Sequence, residues 1–133
     1  MKIEEIEGIG PAFAEKLEAA GVTTTEDLLS RAGPKQGRVA LAISTGINEG
    51  MILEWTNHAD LMRIKGVGSE FSDLLEAAGV DSPAELARRN AANLATTFSE
   101  LDMARNTTRR LPSEETVAIW IEEAGQLEPV VEH

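Results

Sequence analysis

Two stretches of the sequence decide the fold: IEGIGPAF at residues 6–13 and IKGVGSEF at residues 64–71. The likeness continues as LEAAGV at residues 17–22 and again at residues 75–80, so that the second copy follows the first at an offset of 58 residues. This many identities in register indicate an internal duplication. A duplicated unit predicts two similar substructures packed together, commonly about a pseudo-twofold axis.

Apolar residues around these stretches recur at helical spacing. Phe13, Leu17 and Ala20 share one face of a helix that starts at Pro11 and is capped by Gly21. Runs of β-branched and aromatic residues, which are typical of strands, are absent from the sequence. The pattern therefore predicts an all-α fold.

Composition limits the classes of function. The chain has 133 residues, a net charge of −11 and no cysteine, which excludes disulfides and thiol chemistry. Apolar runs stay well short of the roughly 20 residues that span a bilayer, so we expect no membrane partner and a cytoplasmic location. The acidic charge favours a plain solvated surface, and the sequence leaves open whether it reflects function or adaptation of the host to salt.

Each Gly-apolar-Gly triplet predicts a tight turn at the head of a helix. The first glycine permits positive φ, and the second lets another group approach the backbone closely. The following helix then offers unpaired N–H groups and the positive end of its dipole. Such a turn is a phosphate site that does not depend on nucleic-acid sequence.

These turns, each followed by Leu and then by Ala-Gly-Val, resemble the helix-hairpin-helix motif of DNA repair and recombination proteins. The resemblance implies contacts to backbone phosphates of DNA or RNA with little sequence selectivity. It also implies that a monovalent cation can sit at a hairpin. The predicted fold is then all-α, with two tandem helix-hairpin-helix repeats, each with additional helices, packed as one compact domain. We place the first repeat at residues 1–61, the second at 62–127 and a frayed C-terminal tail at 128–133.

The candidate phosphate-binding residues lie in the two turns and beside them. They are Lys65, Gly66, Val67, Gly68 and Ser69 in the second copy, and Gly8, Ile9, Gly10 and Lys16 in the first. The second copy is the better candidate, because Pro11 removes an amide donor from the first. Acidic Glu70 and Asp73 follow the second turn, and such hairpins also serve as packing or protein-binding elements.

Residues 88–110 form a locally basic segment in an acidic chain. Its arginines are Arg88, Arg89, Arg105, Arg109 and Arg110. The guanidinium group of arginine binds phosphate through two parallel N–H donors, and it pairs equally well with carboxylates of the other repeat or of a second subunit. The segment is therefore a second candidate for nucleic-acid contact, with structural or inter-subunit pairing as its alternative.

A longer likeness covers nearly the whole chain. It rests on Trp55, Asn57, the run from Ala59 to Gly68, the run from Leu74 to Asp81, Glu85-Leu86-Ala87, Arg89-Asn90, Asn93-Leu94, Arg110, Pro112-Ser113, Val117, Trp120-Ile121 and Ala124. In these residues the chain resembles the bacterial domain of unknown function 4332 family. The resemblance implies a fold and leaves the function open.

We predict neither a catalytic site nor a metal site, and no cofactor beyond the hairpin cation. His58 stands beside Asp60 without other ligands in the sequence, so we expect a surface or capping role for it. Trp55 and Trp120 recur on matching helices, and we expect both in the core. Two functions remain: a non-catalytic module that binds nucleic-acid backbones, or a protein-interaction or self-associating scaffold domain.

Overall fold

The computed structural model describes residues 1–105 and 110–133, without the side chain of Arg105. A short 3-10 helix at Ile3–Glu5 is followed by α1 (Pro11–Ala19), α2 (Thr25–Ala32), α3 (Lys35–Thr45), α4 (Glu49–Leu61), α5 (Ser69–Ala77), α6 (Pro83–Ala87), α7 (Ala91–Arg105) and α8 (Glu114–Ala124). No strand forms in these ranges, where a single isolated bridge joins Lys2 to Thr24. The predicted all-α fold is confirmed. Of the candidate residues, Arg109 lies outside the described ranges.

Side-chain caps fix where several helices begin. At α2 the hydroxyl of Thr24 accepts from the amide of Asp27, and the carboxylate of Asp27 accepts from the amide of Thr24. This reciprocal pair satisfies two backbone donors that a helix start otherwise leaves open. Asn48, Ser82 and Ser113 cap α4, α6 and α8 through single side-chain oxygens. Short polar residues before apolar runs therefore mark the helix starts in this chain.

Two hydrophobic clusters divide the compact chain. The first runs from Ile3 to Ala59 and the second from Leu61 to Ala124. In the first cluster α2 packs on α3 and α4, and in the second α8 packs on α6 and α7. Packing of α4 against α5 joins the two halves.

The two tryptophans occupy equivalent places. Trp55 packs on Phe13 and Trp120 packs on Phe71, with ring centroids 5.1 Å apart in both pairs. The tilted geometry is one that aromatic pairs favour. Trp55 and Trp120 are 3% and 2% exposed, which confirms the expected core role.

The C-terminal segment differs from the frayed tail that we expected at residues 128–133. Val131 is 8% exposed, and the amide of Glu132 donates to the carbonyl of Gly33 over 2.9 Å. The carboxylate of Glu132 accepts from the amide of Lys35 over 3.0 Å. The tail thus docks on the turn between α2 and α3, because open backbone groups of that turn find partners there.

Candidate functional site

Both Gly-apolar-Gly triplets form tight turns, which we name the first glycine turn (Gly8–Gly10) and the second glycine turn (Gly66–Gly68). Gly66 has a φ of +90°, and Gly8 has a φ of +94°. Side chains are disfavoured at such angles. In the second turn the amide of Val67 donates to the carbonyl of Ile64 over 3.0 Å, and the Val67 side chain is buried. The apolar residue is thus a plug that anchors the turn.

The last glycine of each turn is the N-cap of the following helix. Gly68 provides no side-chain cap to α5, and a Cβ built on it meets nothing within 4 Å. Gly10 is likewise the N-cap of α1 without a side-chain cap, and a Cβ built on it also meets nothing within 4 Å. Within the described ranges, the amides of Gly68 and Ser69 have no hydrogen-bond acceptor. The second turn is therefore open to an anion at the positive end of the α5 dipole.

A tryptophan N–H lies beside each turn. The Nε1 of Trp120 is 3.4 Å from the position of a Cβ on Gly66, and the Nε1 of Trp55 is 3.5 Å from that of Gly8. Neither indole N–H donates to an acceptor in the described part of the chain, and neither nitrogen is sealed from solvent. Buried indoles usually find a partner for this donor. Each turn therefore presents a neutral side-chain donor in addition to its amides.

Both basic and acidic side chains lie near the two glycine turns. The side chain of Lys65 is exposed, while its amide donates to Oε1 of Glu123 over 3.0 Å. Glu70 is exposed in the first turn of α5. Lys16 lies in the last turn of α1, so the helix separates it from the first glycine turn. Lys65 is thus the basic candidate that the fold places next to a turn.

Some arginines of the segment at residues 88–110 form hydrogen bonds within the chain, and others are exposed. Arg89 donates from Nε to Oε1 of Glu85 and from Nη2 to the carbonyl of Gly79, each over 3.3 Å. Arg31 makes a similar contact to the carbonyl of Ala20 over 3.0 Å. Arg88 and Arg110 are exposed. Arg89 therefore pairs with groups close to it in the chain, and Arg88 and Arg110 stay available at the surface.

A cluster of titratable groups lies between α4 and α5, which we name the His58 cluster: Glu54, His58 and Glu76. His58 is 4% exposed, so the expected surface or capping role is wrong. Its Nε2 directly contacts Oε2 of Glu76, and its Nδ1 lies 3.1 Å from Oγ of Ser72. One nitrogen or oxygen atom from each of the three residues falls within 4.8 Å of the others.

Carboxylates dominate the electrostatics of the cluster. Burial, a hydrogen bond with Glu54 and the nearby charges of Asp73 and Asp81 raise the pKa of Glu76 to about 7. Burial also lowers the pKa of His58, against the opposing effect of Asp73 and Glu54. A cleft of about 250 Å³ opens beside these groups. The cluster is thus accessible and carries excess negative charge.

The sequence profile of the domain of unknown function (DUF4332) matches residues 7–127. The chain belongs to the DUF4332 family. No curated protein and no solved structure shows significant similarity to it. The matched range of this DUF4332 chain includes both glycine turns and the His58 cluster. The resemblance to the DUF4332 family, which the sequence indicated, is confirmed. The assignment of the turns to the helix-hairpin-helix motif stays a prediction.

Within residues 1–105 and 110–133 of the DUF4332 chain, each helix is too short or too polar to cross a membrane.

We expect Gly66→Val to lower the free energy of unfolding of the DUF4332 chain by about 1–3 kcal/mol, because valine at a φ of +90° is strained. Its Cβ would also lie 3.4 Å from Nε1 of Trp120. Urea denaturation followed by circular dichroism measures the change. Gly68→Ser is the matched control, since Gly68 has a φ of −97° and serine is a good N-cap. Equal stability of the two variants would contradict the role of the left-handed turn.

Proposed function

We propose that this DUF4332 protein is a non-catalytic module that binds backbone phosphates of nucleic acid without sequence specificity, chiefly at the second glycine turn. The observation that carries the proposal is the meeting of two kinds of unpartnered donor at that turn. The amides of Gly68 and Ser69 have no acceptor in the described ranges, and the indole N–H of Trp120 lies beside Gly66. Phosphate oxygens are the acceptors that such donors favour.

The donors at the turn are neutral, which sets the strength of binding. Backbone amides and an indole N–H hold a phosphate by hydrogen bonds, and Lys65 is the adjacent side chain that adds a positive charge. The net charge of −11 opposes the approach of a polyanion. We therefore expect an affinity in the range of nonspecific binders, with a Kd of about 10⁻⁴–10⁻⁶ M.

The first glycine turn offers a second contact to a backbone phosphate. The first glycine turn repeats the geometry of the second, including the tryptophan N–H beside Gly8. It offers one donor fewer, because Pro11 occupies the first position of α1 and has no N–H. Two phosphates of one strand or of one duplex would then be held unequally, with the second turn the stronger.

Fluorescence anisotropy tests the proposal. Labelled single-stranded and double-stranded DNA of two unrelated sequences, and an RNA strand, are titrated with the full chain over a salt series. We expect binding at low salt, the same affinity for the two sequences of each type, and a shallow loss with salt because few cations are displaced. Absence of binding by folded protein at low salt would refute the proposal.

A second candidate function is a protein-interaction or self-associating scaffold domain. Exposed apolar side chains favour it: Ile43 on α3 is 79% exposed, and Ile119 on α8 is 62% exposed. Covering such side chains with a partner would remove apolar surface from water, which favours association. Light scattering coupled to size exclusion distinguishes this function, since a self-associating chain gives a dimer and a strict monomer that binds DNA excludes it.

A further inference from the structure

A chain of hydrogen bonds fixes the ring of His58. The hydroxyl of Ser72 donates its single proton to the carbonyl of Ser69 over 2.9 Å. Oγ of Ser72 can then only accept a hydrogen bond from Nδ1 of His58, at 3.1 Å. A neutral imidazole carries one N–H, so Nε2 holds a lone pair in this arrangement. The orientation matches that of metal-binding histidines, whose second nitrogen donates to an oxygen.

The lone pair of His58 meets another electron donor. Nε2 directly contacts a carboxylate oxygen of Glu76. Two electron-pair donors in direct contact need a proton between them, and a metal ion can take its place once the partly exposed carboxylate of Glu76 moves back from the ring. The imidazole is held in place because His58 is 4% exposed, while the carboxylate of Glu76 reaches it from α5 and is partly exposed.

Further oxygen donors border the same cleft. Glu54 precedes His58 by one turn of α4, and one carboxylate oxygen of Glu54 lies within 4.8 Å of the donor atoms of His58 and Glu76. Its side chain is exposed and can move closer to an ion. Asn57 also lines the cleft, and its buried Oδ1 has no hydrogen-bond partner in the described ranges. The cleft of about 250 Å³ has room for water to complete the coordination.

We propose that Glu54, His58 and Glu76 bind a divalent transition-metal ion of the zinc type. Zinc accepts imidazole nitrogen together with carboxylate oxygen at about 2.0–2.2 Å, and three protein ligands leave one position for water. Magnesium and calcium favour sites built from oxygen alone. The ion joins α4 of the first repeat to α5 of the second. It thereby stabilises the helix that begins at the second glycine turn, whether or not that turn binds phosphate.

Isothermal titration calorimetry of the full chain, stripped with a chelator, tests the site. We expect one Zn²⁺ per chain and no binding of Mg²⁺ at the same concentration. Glu54→Gln should weaken zinc binding by at least about tenfold, since loss of even an outer-shell partner costs that much. Glu122→Gln removes the same charge from an exposed position on α8 and should leave the affinity unchanged.

Two further measurements use the same proteins. Zinc should raise the Tm of the wild type and of Glu122→Gln but not of Glu54→Gln, because the ion binds only the folded site. Co²⁺ in place of Zn²⁺ should give visible d–d absorption that His58→Gln abolishes. If the buried His58→Gln variant does not fold, the exposed Glu54→Gln variant decides the question. Absence of stoichiometric zinc binding, or equal affinity in Glu54→Gln and Glu122→Gln, overturns the proposal.

Discussion

Replacement of Arg38 by alanine should lower the free energy of unfolding by about 3–5 kcal/mol. The side chain is almost completely buried, and its guanidinium donates to the carbonyls of Ala32 over 2.9 Å, Gly33 over 3.2 Å and Glu132 over 2.9 Å. Alanine would remove three hydrogen bonds from a charged donor, leave the buried carbonyl of Ala32 unpaired and open a cavity. Urea denaturation monitored by circular dichroism measures the loss.

A matched control separates burial from charge. Arg31→Ala also removes an arginine that donates to a carbonyl, that of Ala20 over 3.0 Å, but the contact is at the surface. We expect it to cost no more than about 1 kcal/mol. Arg38→Lys should fail to restore stability, because an ammonium group lacks the planar fork that serves several carbonyls. Equal losses in Arg31→Ala and Arg38→Ala would contradict the role of the buried network.

The same network predicts the behaviour of the C-terminal tail. Arg38 holds Glu132 from a position 94 residues earlier in the chain. Limited proteolysis should therefore cleave residues 128–133 faster in Arg38→Ala than in the wild type, since the segment loses its anchor.

The glycine turns were predictable from local sequence because their geometry restricts the residue type. A φ near +90° favours glycine at Gly8 and Gly66, and a buried plug needs an apolar residue next to it. Both requirements select recognisable residue types at a fixed spacing, and the sequence contains this pattern twice. The core positions of Trp55 and Trp120 follow from the same repetition.

The His58 cluster and the docked tail depend on contacts that leave no local pattern. Periodicity shows that His58 lies on a helix, but only the packing of α4 against α5 brings Ser72 and Glu76 to it, 14 and 18 residues away. Glu54 and His58 at a spacing of four are the one available signal, and that spacing is also common on solvated helix faces. Arg38 gives no signal, because its hydrogen-bond partners are backbone carbonyls that any residue type offers.

Gly68→Glu should abolish nucleic-acid binding and leave the fold intact. Gly68 has a φ of −97°, and a Cβ at this position meets no atom within 4 Å, so a longer side chain is accommodated. The new carboxylate would sit at the N-terminus of α5, accept from the free amides and repel phosphate. Anisotropy with the labelled DNA measures affinity, while circular dichroism checks helicity.

Ala40→Glu provides the charge-matched control, because Ala40 is exposed on α3 and gains the same negative charge. We expect its affinity for DNA to stay close to that of the wild type. Gly10→Glu should weaken binding less than Gly68→Glu does, since the first turn already lacks the amide of Pro11. If Gly68→Glu binds DNA as tightly as Ala40→Glu, the phosphate is held elsewhere, and the exposed Arg88 and Arg110 become the residues to replace next.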